Sequence, residues 1–339
     1  MADSIFNQIK ENWDKIAKPL DSMGKFEELI AKIGQIQNTL HPRLSKICLL
    51  VFCSDNGIVE EGVSQSSYDV TAICAGNIAR KKSAAGVMAQ SLGIDVRVID
   101  VGMKSDGNSD LIFDRKIRRG SRNFLKEPAM TAEEEKKALE AGREFVAACK
   151  NEAYDALCIG EMGIGNTTTS AAVAASLLHL SAKEAAGRGA GLSDRGLEKK
   201  ISVIEAAIKK YNLYEAGPHE VLQTVGGYDI AAMTGAALAA REYSIPLILD
   251  GLISHVAALC ASKIEPEVFD YLIPSHKSRE PVSQKINPKL QPVIDGDMAL
   301  GEGSGALMMA GLLRTALTVY DKCLRFEDSG VGQYTRKGK

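Results

Sequence analysis

Two glutamates stand in glycine frames far apart in the chain. Residues 157–169 read Leu-Cys-Ile-Gly-Glu-Met-Gly-Ile-Gly-Asn-Thr-Thr-Thr, with Glu161 ahead of Gly163, Gly165, Asn166 and Thr167. Residues 300–305 read Leu-Gly-Glu-Gly-Ser-Gly, with Glu302 between Gly301 and Gly303. In the first stretch an apolar strand runs into a glycine-spaced loop, and an alanine-rich helix is predicted over 170–178. Unpaired backbone N–H groups and the positive end of the helix dipole then converge on one spot, an arrangement that suits a phosphate. Gly163 and Gly165 let the main chain approach closely, and the hydroxyls of Thr167 and Thr168 can cap the helix or contact an anion. Glu302 reads two ways: as the first residue of a following helix, favourably placed against its dipole, or as a functional acid able to take a proton. Together the two loops suggest an enzyme acting on a phosphorylated small molecule.

Other residues of interest follow apolar runs. Asp55 and Asp250 each end a strand-like stretch at a glycine turn, which serves conformation as readily as function. Gly187-Arg188-Gly189-Ala190-Gly191-Leu192 precedes a predicted helix carrying Lys199 and Lys200, a second possible anion loop with a lysine as point charge. His276, Ser278 and Glu280 share a polar loop after a strand, but no nucleophile elbow accompanies them, so a serine-hydrolase triad is not expected. No Walker lysine follows the 160–168 loop, which disfavours ATP hydrolysis.

The elements that must position these residues alternate. A near-continuous apolar strand is predicted over 47–52 and further strands over 96–101, 156–159, 247–249 and 271–274, separated by helices over 70–92, 132–150, 170–178, 196–210 and 230–242. That order predicts an α/β fold, a doubly wound parallel sheet whose polar turns gather on one edge, where such folds bind ligands. The first 40 residues carry two helical stripes broken at Pro19, and a final helix is predicted over 303–324 with a frayed tail from Glu327.

The bulk properties set limits. The 339 residues, 45% apolar and 25% charged with a net charge of −2, fit one large α/β domain with at most a small satellite. The basic stretches are short and interrupted, so no nucleic-acid partner is expected. No apolar run reaches the ~18 residues of a membrane span, and no signal-peptide pattern opens the chain, so a cytoplasmic protein without a membrane partner is expected. The 7 cysteines form no Cys-x-x-Cys and the 5 histidines no His-x-x-x-His, which predicts reduced thiols and no metal site.

The ordered set of motifs resembles the nicotinate-nucleotide–dimethylbenzimidazole phosphoribosyltransferase family, which assembles the nucleotide loop of cobalamin. The matching stretches are Ser54-Asp55-Asn56-Gly57 with Glu61-Gly62-Val63-Ser64, Val70-Thr71, Asp100-Val101-Gly102 and Pro128-Ala129-Met130-Thr131. They continue through 160–168, 187–192 with Lys200, Val225-Gly226-Gly227, Leu249-Asp250-Gly251, Ser275-His276 and 300–306, and the resemblance covers roughly residues 20–320.

The resemblance implies transfer of the phosphoribosyl group of nicotinate mononucleotide to 5,6-dimethylbenzimidazole, with release of nicotinate. It implies a Rossmann-like sheet domain over 41–302, a small helical domain from 1–40 with 303–330, a dimer, and no cofactor or metal. The resemblance implies that Glu302, in the Gly-Glu-Gly motif, is the general base and that Glu161 lies at the reacting centre. Gly163, Gly165, Asn166, Thr167 and Lys200 hold the nucleotide phosphate, and Asp55, Ser66, Cys74, Asp250 and Ser278 complete the substrate contacts.

The chain departs from the family pattern at several points. Cys74 replaces a glutamine, Ser66-Ser67 a Ser/Tyr-Pro pair, Ala299 an arginine and Ala190 a threonine, while Tyr228-Asp229 replaces Phe-Glu. The first two fall in the acceptor region, and a thiol cannot reproduce an amide's two-way hydrogen bonding. An altered acceptor pocket follows, as in the branch that uses phenol or p-cresol and works as a heteromer of two related chains. A non-catalytic subunit completing another chain's site is the alternative.

Overall fold

The computed structural model describes residues 4–107, 110–286 and 290–336. Residues 1–3 and 337–339, which belong to the chain-end expectations, lie outside the described residues. Among the described residues six parallel strands form one sheet: β1 (Ile47–Ser54), β2 (Asp95–Gly102), β3 (Ile112–Asp114), β4 (Ala156–Met162), β5 (Leu247–Ile248) and β6 (Leu272–Ile273), in the order β3-β2-β1-β4-β5-β6.

Helices fill the connections. α1 (Ile5–Asp14) and α2 (Lys25–Gln37) lead in, α3 (Asp69–Ala79) and α4 (Ala84–Ser91) follow β1, and α5 (Ala132–Asn151) follows β3. Between β4 and β5 lie α6 (Asn166–Leu178), α7 (Ala182–Ala185), α8 (Asp194–Tyr211), α9 (Pro218–Val225) and α10 (Tyr228–Glu242). α11 (Leu252–Ile264) precedes β6, and α12 (Ser304–Lys322) with α13 (Phe326–Ser329) close the chain.

Side chains of β1 alternate between two cores, as the pleat requires. Cys48, Leu50 and Phe52 join the core under α5, α6 and α8–α11. Leu49, Val51 and Cys53 join the other, with Ile9 and Trp13 of α1, Ile30 of α2, Ala75 of α3, Ala85 of α4 and Leu307 of α12. Helices therefore cover both faces, and the chain-end helices pack directly on the sheet.

The structure departs from the sequence expectations in detail. The predicted helix over 70–92 is two helices, because Lys81 adopts a left-handed φ of 56° and the Ser83 hydroxyl caps a new start by accepting the Gly86 N–H at 3.1 Å. β3, α7, α9, α11 and α13 were not expected; β3 is a three-residue, partly exposed edge strand, too short to show a period. The tail beyond Glu327 is anchored through the Arg336 guanidinium, which donates to Asp14 at 2.9 Å and Asp21 at 2.7 Å.

The strand order reverses between β1 and β4, so their connections leave in opposite directions and a crevice opens beyond their carboxyl ends. Ser54 and Glu161 end up at this point, with Asp250 and His276 at the ends of the next two strands.

Candidate active site

A cavity of about 200 Å³ occupies that crevice. Its wall takes Glu161, Gly163, Asn166 and Thr167 from the β4–α6 turn, Asp250 after β5, His276, Ser278 and Glu280 after β6, and Leu300 and Gly301 ahead of α12. Gly189 and Ala190 join them from the α7–α8 connection, so four separate connections, β4–α6, α7–α8, β5–α11 and β6–α12, converge on one space.

Helix α6 starts at Asn166, four residues earlier than predicted, because Gly165 takes a left-handed φ of 93° and turns the chain sharply off the strand. This brings the Asn166 amide back over β4, where its Nδ2 donates to the Glu161 carboxylate and, at 3.3 Å, to Asp229. Burial drives the Glu161 pKa up to about 8, and the charges of Asp229, Asp250 and Glu302 add to the rise against the Asn166 hydrogen bond. Asp229, at the start of α10, is pushed by burial up to about 6 despite accepting the Ile230 N–H at 3.0 Å.

Glu302 sits in a backbone run with no counterpart elsewhere in the site. Gly301, Glu302 and Gly303 have φ of 81°, 59° and 85°, three consecutive left-handed residues. Glycine tolerates this; glutamate there costs roughly 1–2 kcal/mol. Two contacts hold the run. The Asp250 carboxylate accepts the Gly303 N–H at 3.0 Å and the Gly305 N–H at 2.7 Å, satisfying the open end of α12 from another part of the chain. Gly160 of β4 lies against it so closely that a Cβ there would fall 2.5 Å from the Gly303 nitrogen. The Glu302 residue adjoins the cavity wall at Gly301, and its Oε2 is buried with no hydrogen-bond partner. Of the two sequence readings, the cap is excluded: α12 starts at Ser304 with Gly303 at its N-cap.

Lys200 is fully buried, and its ammonium donates to Thr167 Oγ1 and the Gly187 carbonyl, both at 3.0 Å. Burial pulls its pKa down to about 8, with the Glu280 charge opposing. The glycine loop 187–192 therefore lies beside the β4–α6 turn, and Thr167, Lys200 and the Gly189 backbone form one polar cluster at the cavity.

Not every candidate reaches the cavity. Asp55 is fully buried and both its oxygens are engaged, one by the Thr71 hydroxyl at 2.6 Å and one by the Lys104 N–H at 2.8 Å. Thr71 in turn accepts the Ile164 N–H at 3.2 Å, so Asp55 braces the glycine turn from behind. Ser66 lines, with Arg188, a neighbouring pocket of about 90 Å³ that shares Gly163, Asn166 and Thr167 with the large cavity. Cys74, half-buried on α3, is not on the wall of the large cavity; burial raises its pKa, and the Glu302 charge raises it further. Sequence reasoning missed Asp229 and Glu280 as members of the site. The signals for Asp229 were its place after a Gly-Gly pair at a helix start and its standing where the resembled family carries a glutamate.

Comparison with known proteins gives this geometry a context. A family model described as Phosphoribosyltransferase matches residues 1–331. The chain belongs to that family. The enzyme is 41% identical over 323 residues to the nicotinate-nucleotide–dimethylbenzimidazole phosphoribosyltransferase of Ruminiclostridium cellulolyticum, covering 95% of this chain and 92% of the relative. It is 39% identical to the protein of that name from Clostridium perfringens, over 95% and 90% of the two chains. The crystal structure of CobT from Thermus thermophilus superposes with a TM-score of 0.92 at 35% identity, covering 98% of this chain and 100% of that one. The enzyme is a phosphoribosyltransferase with a Rossmann-like α/β fold, as the motif order implied.

Proposed function

We propose that the enzyme moves the 5-phosphoribosyl group of nicotinate mononucleotide onto a cobamide lower-ligand base, with inversion to the α-ribotide and release of nicotinate. The acceptor is 5,6-dimethylbenzimidazole or a phenolic such as phenol or p-cresol. One observation carries the reading: Glu161 and the Glu302 loop are packed together beside a cavity that also holds the Thr167–Lys200–Gly189 cluster. Acid groups and an anion cradle thus share one space of small-molecule size.

The donor's phosphate sits against the glycine turns, with Lys200 as its cation. The acceptor nitrogen or hydroxyl attacks C1′ from the face opposite the pyridine ring. The C1′–N bond breaks, its electron pair neutralises the pyridinium, and the acceptor's proton passes to Glu302. The Glu302 Oε2 has no internal partner and is available for it. Glu161 is largely protonated near neutral pH in the free protein. The positive charge of the donor ring draws it to the carboxylate, which then stabilises cationic character at the ribose.

The chain-end helices, 1–40 with 303–330, act in this reading as a small unit over the 41–302 domain, and the protein works as a cytoplasmic homodimer or as a heterodimer with a related chain. Among the described residues no helix is long and apolar enough to cross a membrane. The test is incubation of the chain alone with nicotinate mononucleotide and a mixture of benzimidazoles, adenine, phenol and p-cresol, with ribotides identified by mass. A product establishes the transfer and its acceptor. A folded chain that binds the nucleotide yet stays silent is a subunit awaiting its partner, and one that does not bind it overturns the reading.

A further inference from the structure

Part of the polar cluster assigned above to the donor's phosphate is already taken by the protein's own carboxylate. Glu280 reaches from the loop after β6 into the 187–192 loop, where its Oε1 accepts the Gly189 N–H at 2.9 Å. Its other oxygen, Oε2, is buried without a partner and lies 1.9 Å from where a Cβ on residue 187 would stand. Only glycine at 187 leaves room for it. Close by, Lys200 is fully buried with neutral partners on two of its three N–H groups, the Gly187 carbonyl and Thr167 Oγ1. Glu280 is the charged group that favours its ammonium form.

A carboxylate with one bond made, one oxygen buried and unpaired, and a buried cation nearby is poorly satisfied. A phosphate in the same place has three oxygens for the Gly189 N–H, the Thr167 hydroxyl and the third Lys200 proton. Carboxylate and phosphate cannot share the Gly189 N–H without like-charge repulsion.

We propose that Glu280 is a displaceable internal counter-anion of the phosphate cradle: its carboxylate holds the Gly187–Gly189 turn in shape and leaves the Gly189 N–H when the donor's phosphate arrives. Glu280 is a positioning residue in this role. It weakens donor and product binding alike and so eases exit of the phosphorylated product. The inference rests on the transferase reading, which sites the phosphate here.

Calorimetric titration of the full chain and its Glu280→Gln variant with inorganic phosphate and with nicotinate mononucleotide tests it. The glutamine can still accept the Gly189 N–H, but the competing charge is gone, so both ligands bind more tightly, by on the order of tenfold. A clamp with a purely structural role gives the opposite sign: unchanged or weaker binding by the variant overturns the inference while leaving the transferase reading intact. A wild-type chain that binds neither ligand overturns both. Should Glu280→Gln fail to fold, a crystal structure of the wild-type chain with phosphate decides. Glu280 withdrawn from Gly189 supports the inference, and phosphate seated with Glu280 still on Gly189 ends it.

Discussion

Asp250 grips the backbone on the carboxyl side of Glu302. One carboxylate, at the end of β5, accepts the N–H groups of Gly303 and Gly305, the next residue and the third along. The acid is thus held in a left-handed conformation by a side chain from a distant part of the sequence. An asparagine offers a single amide oxygen for two donors. Asp250→Asn should lower kcat roughly 10- to 100-fold, as loosened positioning does, with the nucleotide Kd within a few-fold of wild type. A Kd change matching the kcat loss would instead make Asp250 a substrate contact.

Glu302 carries two separable expectations. Glu302→Gln should still bind nicotinate mononucleotide while turnover falls roughly 100- to 10,000-fold, the usual worth of a general base. Glu302→Gly should also be inactive yet more stable, by about 1 kcal/mol, because glycine accepts φ of 59° freely. Chemical denaturation of both variants beside a turnover assay checks the pair. A wild-type rate in Glu302→Gln would remove it as the base.

The buried acids fix how stability responds to pH. Glu161 keeps its proton to about pH 8 in the fold but only to its ordinary 4.5 when unfolded. The folded state binds more protons across that window, so stability falls as pH rises from 4.5 to about 8. Asp229 acts likewise between 3.8 and about 6. Lys200 works in the other direction, adding stability as pH climbs from about 8 to 10.5. Glu161→Gln should therefore gain about 2 °C or more in Tm over wild type on going from pH 5 to pH 8. A constant difference in scanning calorimetry would show that Glu161 titrates normally.

Gly160 tests the contact between the two glutamate loops. A Cβ at this position meets backbone atoms of residues 302 and 303 at 2.5–2.7 Å, and backbone cannot swing aside as a side chain can. Gly160→Ala should displace Glu302, costing roughly 1–3 kcal/mol of stability and most of the activity. Near-normal turnover would mean that the loop's placement is not critical.

Cys74 bears on the acceptor. Cys74 is not on the wall of the large cavity, but the Glu302 charge adds to the rise that burial gives its pKa, so α3 lies within electrostatic reach of the proposed base. Cys74→Gln should shift product ratios toward benzimidazole over phenol in a competition assay read by mass. An unchanged ratio would take Cys74 out of acceptor choice.

Much of this was legible along the chain. Buried parallel strands must be apolar on both faces, so β1 stood out as a near-unbroken run and β4 opened on one, while Arg97 and Asp100 interrupted β2, and the strand–helix alternation allowed few other folds. Glu161 and Glu302 were conspicuous because glycine on both sides of an acid serves few purposes beyond close approach or unusual φ. What the chain could not display were contacts between distant segments. Lys199 and Lys200 are adjacent and chemically alike, yet only Lys200 points inward to Thr167. Asp55 and Asp250 share the same local signature, but the first braces the glycine turn while the second seats Glu302. Asp229 joined Glu161 only once α10 lay over β4, and Glu280 met Gly189 from 91 positions further along. Local pattern is set by burial and backbone preference, which neighbouring residues determine. The protonation and role of each acid depend on the dielectric and charges that packing brings to it, and these exist only in the folded molecule.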